Sequence, residues 1–310
     1  MGDDHRVTVG SILESWAASG SRLRIGDDDV FVVDAAATAP SDVPPMLVLH
    51  GFPTSSIDWR AALPMLRAER RVVLLDFPGY GLSSKPDRAY SLFEQADVVE
   101  GLAAGLSLAT VDLVTHDMGD SVGGEILARS IDGTLGFDVR RRVLTNGSIY
   151  LGLAQLTDGQ KFLAALPDEA LDEDVAPDVD ALERALLDTL AGPPPDPDEV
   201  RASADLVVVD GGNRLLPRLI RYIAERAEHE QRWTGAIERH PAPLHIAWGD
   251  LDPIAVWPMT DRLLERRPDA TRTRLEGIGH YPMVEAPDAF ATAVLSSLSE
   301  QPSGPKGDAG

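Results

Sequence analysis

The sequence predicts a protein of the α/β class, with a mostly parallel central sheet flanked by helices and an inserted helical cap. Two observations carry this. Short, continuously apolar runs such as Met46-Leu-Val-Leu and Val72-Val-Leu-Leu alternate with amphipathic stretches, and strands covered on both faces by helices read in this way. Between about residues 150 and 238 the alternation stops and only helical stretches remain, as expected of an insertion between two strands of one sheet.

Taken in order, residues 7–18 read as a short helix that Gly20 stops. Ser21–Ile25 and Val30–Ala35 read as strands around the turn signal Gly26-Asp-Asp-Asp. The loop Pro40-Ser-Asp-Val-Pro-Pro leads into the strand ending at His50, and a helix with Trp59, Leu63 and Leu66 on one side precedes the strand ending at Asp76. Pro78-Gly-Tyr-Gly81 is a tight loop, and Leu92–Leu106 is helical. The strand at 111–116 then enters an abrupt turn and another amphipathic helix, and Arg142–Thr145 is the next strand. In the insertion, helices are expected over Leu182–Leu190 and Leu215–Trp233, with a break at Gly192-Pro-Pro-Pro-Asp-Pro. Alternation resumes with strand Leu244–Trp248, helix Trp257–Arg266, strand Thr271–Leu275 and helix Pro287–Leu298. The expected division is a core of residues 1–149 and 239–300, a cap of 150–238, and a Pro/Gly-rich disordered tail at Gln301–Gly310. No internal repeat is visible.

With 310 residues the chain can bury a substantial core. Its 28 basic and 50 acidic side chains give a net charge of −22, which speaks against nucleic acid and anionic membrane surfaces as partners. The absence of cysteine excludes disulfides, thiolate metal sites and cysteine nucleophiles. Met1-Gly-Asp-Asp-His-Arg has no apolar leader, and no run approaches 18 apolar residues, so a cytoplasmic location is expected.

At the carboxyl ends of the expected strands stand His50-Gly51, Asp76, Asp117, Asn146, Asp252 and His280, and in an open α/β sheet these ends converge on one edge, where ligands bind. Nucleophilic catalysis needs a nucleophile, a base and a group that orients the base, in that fold commonly in the chain order nucleophile, acid, histidine. Asp117, Asp252 and His280 fit this order. Asp250 competes with Asp252, but the residue preceding Pro253 lies farther from the strand and is better placed to reach a neighbouring loop. A second competition concerns the nucleophile, because Gly119-Asp-Ser121-Val-Gly123 matches Gly-x-Ser-x-Gly by letters. The strand runs through Thr115 or His116, however, which puts Ser121 about one turn inside the helix and Asp117 at the apex, with Thr115 and Gly119 as its small neighbours.

A carboxylate nucleophile changes the reaction class. Attack on a carbonyl would give a reactive anhydride, whereas attack on an sp³ carbon gives an alkyl ester that water can cleave, so epoxides and carbon–halogen bonds are the natural substrates. His280, held by Asp252, would activate the water, and the backbone N–H groups of Phe52 and Met118 would stabilise the oxyanion.

His50-Gly-Phe-Pro-Thr-Ser-Ser56, Asp76-Phe-Pro-Gly-Tyr-Gly-Leu-Ser-Ser-Lys-Pro86, His116-Asp117-Met-Gly119, Gly249-Asp-Leu-Asp252-Pro253 and Gly279-His280-Tyr-Pro282 resemble, in order, the α/β-hydrolase superfamily in its branch of epoxide hydrolases and haloalkane dehalogenases. The resemblance spans roughly 45 to 298 and implies the α/β-hydrolase fold. Tyr90-Ser-Leu-Phe-Glu-Gln95, the His-Asp-x-Gly-Asp elbow and Asn146-Gly147 look most like the mesoderm-specific transcript proteins. Dehalogenases typically hold the leaving halide with Trp after the nucleophile and with Asn or a second Trp. Here Met118 and Phe52 supply no side-chain donor and only Asn146 is available. Epoxide hydrolases protonate the opening ring with cap tyrosines, for which Tyr222 is preferred and Tyr150 is second. His50, Asn146 and Trp233 are expected to line the substrate site, with Phe162 as further apolar wall. The resulting expectation is a cofactor-free and metal-free epoxide hydrolase, monomeric or homodimeric, acting on a small apolar electrophile and water. Dehalogenation, serine ester hydrolysis through Ser121 and non-catalytic binding are the alternatives.

Overall fold

The computed structural model describes residues 8–167 and 176–299. Eight strands form one sheet: β1 (Ser21–Ile25), β2 (Asp28–Ala35), β3 (Met46–Leu49), β4 (Val72–Leu75), β5 (Thr110–His116), β6 (Asp138–Thr145), β7 (Leu244–Gly249) and β8 (Thr271–Leu275). Their spatial order is β1-β2-β4-β3-β5-β6-β7-β8. The β1–β2 and β2–β4 pairs are antiparallel and all the others parallel. In the centre, Leu47 of β3 pairs with Val73 on one side and Leu113 on the other. Every residue of β3 and β4 is buried, which is why these segments read as unbroken apolar runs.

The helices that cover the sheet are α1 (Val9–Ser19), α2 (Leu63–Leu66), α3 (Leu92–Gly105), α4 (Met118–Asp132), α10 (Pro258–Arg266), α11 (Pro282–Glu285) and α12 (Pro287–Ser299). Thr8 opens α1 with a reciprocal capping box to Ser11. Between β6 and β7 the chain carries α5 (Asp158–Ala165), α6 (Val179–Leu187), α7 (Pro197–Val208), α8 (Leu216–Leu219) and α9 (Tyr222–Arg239), with no strand among the described residues of this stretch. Buried Glu125 of α4 docks α9: it accepts from Arg232 Nε at 2.6 Å and Trp233 Nε1 at 2.9 Å, as well as from Arg129 Nε of its own helix at 2.9 Å.

Of the boundaries that differ from the sequence reading, three have identifiable reasons. The β1–β2 turn shrinks to Gly26-Asp27, because Ile25 pairs with Asp28, and the buried Asp28 carboxylate receives Arg88 Nη2 at 2.6 Å. β6 starts four residues earlier than expected, at Asp138. Its Arg140 is drawn to Asp112 of β5 at 2.8 Å, and Arg142 is 1% exposed, so a basic run forms buried strand. The expected helix over 215–233 is split between α8 and α9, with Pro217 at the start of α8 and a kink at His229 within α9. The tail Gln301–Gly310 lies outside the described residues. Among the described residues no helix is long and apolar enough to cross a membrane.

Candidate active site

Asp117 stands alone between β5 and α4, with φ 48 and ψ −114, a conformation that a side-chain-bearing residue adopts only under constraint. Two glycines make the tight turn possible. A Cβ on Gly119 would lie 2.6 Å from the His50 carbonyl oxygen, and one on Gly51 would lie 2.6 Å from the Asp117 Cβ. Ser121 is a turn into α4 and buried. The glycines after it serve packing: Gly123 faces the Arg142 guanidinium and Gly124 faces Trp233.

The carboxylate of Asp117 accepts the Phe52 backbone N–H at 2.9 Å through Oδ2, and its Oδ1 lies 4.0 Å from His280 Nε2. The other nitrogen of His280, Nδ1, is 2.8 Å from Asp252 Oδ2. Asp252 is fixed from behind, since its Oδ1 accepts the Ile254 and Ala255 N–H groups at 2.7 and 3.0 Å. Asp250 turns away and binds Arg274 and the Gly277 N–H. Met118 opens α4, so its N–H has no carbonyl partner within the helix. Burial disfavours a charged imidazole at His280, but Asp252, Asp117 and Glu285 outweigh it and raise its pKa to about 9.

Several expected contacts resolve differently. The Asn146 amide donates to Asp252 Oδ2 at 2.7 Å and accepts the Gly249 N–H at 3.0 Å, so it supports the acid instead of lining the substrate site. His50 is likewise occupied by backbone, its Nδ1 on the Gly51 oxygen at 2.8 Å and its Nε2 accepting the Phe77 N–H at 3.0 Å. Burial holds it below its ordinary pKa, which suits that neutral, accepting nitrogen. Tyr150 turns from the site, its hydroxyl donating to Glu238 at 3.0 Å and its ring under Arg262. Trp233 packs between α9 and α4 with Phe93 and His229. Tyr222 lies close enough to Asp117 to feel its charge, and its ring is 5.7 Å from that of Phe52, but it is not among the residues that line the apolar cavity. Burial, then the Asp117 charge, pushes its phenol well above the usual range, opposed by the charge and a hydrogen bond of Arg226.

Sequence reasoning missed Tyr281, Glu285 and Arg226. Tyr281 lines the substrate-sized cavity next to His280, with its hydroxyl 3.3 Å from the Phe52 oxygen. Buried Glu285 accepts the N–H groups of Ala191, Gly192 and Gly279 at 2.9, 2.8 and 2.9 Å, clamping the His280 loop to the α6–α7 connection. For Tyr281 and Glu285 the one available signal was closeness in sequence to His280, which Tyr281 follows directly and Glu285 follows after a short turn.

A cavity of about 330 Å³ lies between the sheet edge and α5, α6 and α8. Phe162, Leu163, Leu182, Leu186, Leu216 and Ile254 make its wall apolar, and Phe162 is half-exposed at its side. Phe52 and His280, the two residues that flank the Asp117 carboxylate, are part of its lining. Among the described residues lining it, only Gln160 and His280 carry side-chain N–H groups.

A strained carboxylate elbow, an Asp-backed histidine and a helical insertion over the strand ends are accompanied by a family match: residues 46–293 fit the model of the alpha/beta hydrolase family. The chain belongs to the alpha/beta hydrolase family. Within it, LipZ of Mycobacterium tuberculosis, which bears a hydrolase name, is 41% identical over 293 residues, covering 94% of this chain and 99% of LipZ. The mouse mesoderm-specific transcript protein is 32% identical over 303 residues, covering 93% and 88% respectively. The fold also matches the crystal structure of haloalkane dehalogenase DbeA from Bradyrhizobium elkani, with a TM-score of 0.72 at 21% identity over 90% of this chain and 96% of that one. This alpha/beta hydrolase is therefore a member of a family of hydrolases, with dehalogenases among its structural neighbours.

Proposed function

We propose that this hydrolase opens epoxides to vicinal diols through an alkyl ester on Asp117. The observation that carries the reading is the carboxylate at the elbow, held by the Phe52 N–H with His280 Nε2 4.0 Å away. Asp117 attacks a ring carbon, the ring C–O bond breaks, and Tyr222 gives its proton to the departing oxygen. A phenol suits this task because the developing alkoxide is a far stronger base than a carboxylate. His280 then removes a proton from water, the hydroxide attacks the ester carbonyl, and the backbone N–H groups of Phe52 and Met118 receive the oxyanion. Collapse expels the product oxygen, which takes the proton from His280. The apolar cavity favours a neutral substrate. Its volume of about 330 Å³ corresponds to about eleven water-sized units at roughly 30 Å³ each.

Carbon–halogen cleavage by the same nucleophile is the second reading, favoured by the dehalogenase likeness. It is the weaker one because Met118 stands where a halide donor would follow the nucleophile, and the Asn146 amide is occupied by Asp252. A panel of neutral aryl and alkyl epoxides assayed for diol, beside bromoalkanes assayed for halide, separates the two. Diol formation abolished by Asp117→Asn is expected. Halide release without diol would move the assignment to dehalogenation, and ester turnover that survives Asp117→Asn but not Ser121→Ala would overturn the nucleophile.

A further inference from the structure

One buried cation near the site has no role in the steps above. Arg226 is 3% exposed, four residues after Tyr222 on α9, and its guanidinium carbon lies 5.1 Å from the centre of the Tyr222 ring. Its Nε and Nη1 have no hydrogen-bond partner. Burying a guanidinium with two unused donors is costly, and a residue kept in that state is a candidate for interactions made only during reaction. Tyr222 is itself 3% exposed, so negative charge developing on its oxygen finds little water to solvate it. Its surroundings include the Phe52 ring, Tyr80 and Met118, and the Asp117 charge opposes ionisation further. Donation from this phenol therefore needs a positive group close by, and Arg226 is in contact with it.

We infer that Arg226 is the positioning residue that makes Tyr222 an effective acid, its guanidinium holding the ring and stabilising the phenolate left when the proton goes to the epoxide oxygen. The inference rests on the epoxide reading and adds to it a residue that acts only in the first half-reaction. The proton balance is complete. Tyr222 loses one proton to the substrate oxygen as the Asp117–carbon bond forms and the ring C–O bond breaks. Of the two water protons in the second half-reaction, one passes through His280 to the product oxygen. The other, left on the regenerated Asp117 carboxyl, returns to the phenolate. Arg226 keeps its protons throughout.

The test uses the whole enzyme in single-turnover reactions, with Arg226→Met, Arg226→Lys and Tyr222→Phe beside the parent, and two probes: a neutral aryl epoxide and a primary bromoalkane of similar size. Bromide leaves without a proton, so any alkylation of Asp117 by the bromoalkane bypasses Tyr222. Arg226→Met is expected to slow alkylation by the epoxide about 10- to 100-fold, to leave ester hydrolysis unchanged and to leave bromoalkane alkylation, where detectable, unchanged. Arg226→Lys should recover part of the loss by restoring the charge. Equal epoxide alkylation rates in the parent and Arg226→Met would overturn the inference while leaving the epoxide reading intact. Equal slowing of alkylation and ester hydrolysis would also overturn it, by making Arg226 a general structural residue. A parent enzyme that opens no epoxide removes the reading and the inference together.

Discussion

Replacing Asn146 by alanine tests the support behind the acid. In the structure the amide donates to Asp252 Oδ2 at 2.7 Å and accepts the Gly249 N–H at 3.0 Å, and it is fully buried. Loss of a hydrogen bond to a charged group costs about 1.5–3 kcal/mol, and the orphaned Gly249 N–H adds about 1 kcal/mol. A total near 3 kcal/mol corresponds to a fall in melting temperature of roughly 5 °C for a chain of 310 residues. Asn146 also has a positive φ of 47, which alanine tolerates less well, so backbone strain adds to the loss. The second consequence is kinetic. Asp252 orients His280 at 2.8 Å, and its displacement should slow ester hydrolysis about 10- to 100-fold while leaving alkylation of Asp117 nearly unchanged. Thermal melting and quenched-flow measurement of the two half-reactions provide the assay. A variant that melts within a degree or so of the parent and hydrolyses its ester at the parental rate refutes the reasoning.

Three further outcomes are expected. Asp117→Asn removes a negative charge 4.0 Å from His280 and should lower the imidazole pKa from about 9, read as an upfield-to-downfield NMR titration moved to lower pH; an unmoved titration contradicts the electrostatic account. Glu125→Ala leaves the Trp233 N–H without its acceptor and removes one of the acceptors of Arg129 and of Arg232, and should destabilise the protein by about 2–4 kcal/mol in urea unfolding, with faster proteolysis between β6 and β7. Asp120 is buried, and burial chiefly raises its pKa to about 8 in spite of Arg142 and Thr115, above the ordinary 3.9 of an unfolded chain. Its contribution is therefore full below about pH 4 and lost as pH rises through 8, so Asp120→Asn should gain stability relative to the parent between pH 6 and 9; a constant difference across that range goes against it.

The order of strands and helices was legible because apolar runs and turn residues are local signals, and the strand ends carried Asp117, Asp252 and His280 to one edge as the topology requires. The register of the elbow was legible too, since the length of β5 and not the letters around Ser121 decides which residue stands at the apex. Side-chain direction was not. Asn146 was recognised as a residue of the site, but its partner lies 106 residues away on a loop whose conformation no local pattern encodes. The Tyr150 hydroxyl is directed by Glu238, 88 residues on, and reads the same in sequence whichever way it points. Arg226 was invisible for a different reason: an arginine on an amphipathic helix reads as solvated surface, and only packing reveals that it is buried. The early start of β6 was hidden likewise, because its arginines become strand only through Asp112 and Asp120 on neighbouring elements.

The central claim is a covalent ester on Asp117 whose breakdown depends on His280, and intact-protein mass spectrometry of His280→Gln after exposure to a neutral aryl epoxide tests it most directly. A stable adduct equal to the mass of the whole epoxide is expected, located on the peptide that contains Asp117 and absent from the double variant Asp117→Asn, His280→Gln. An epoxide that the parent converts to diol while the His280→Gln protein stays unmodified, or an adduct found on Ser121, would contradict it.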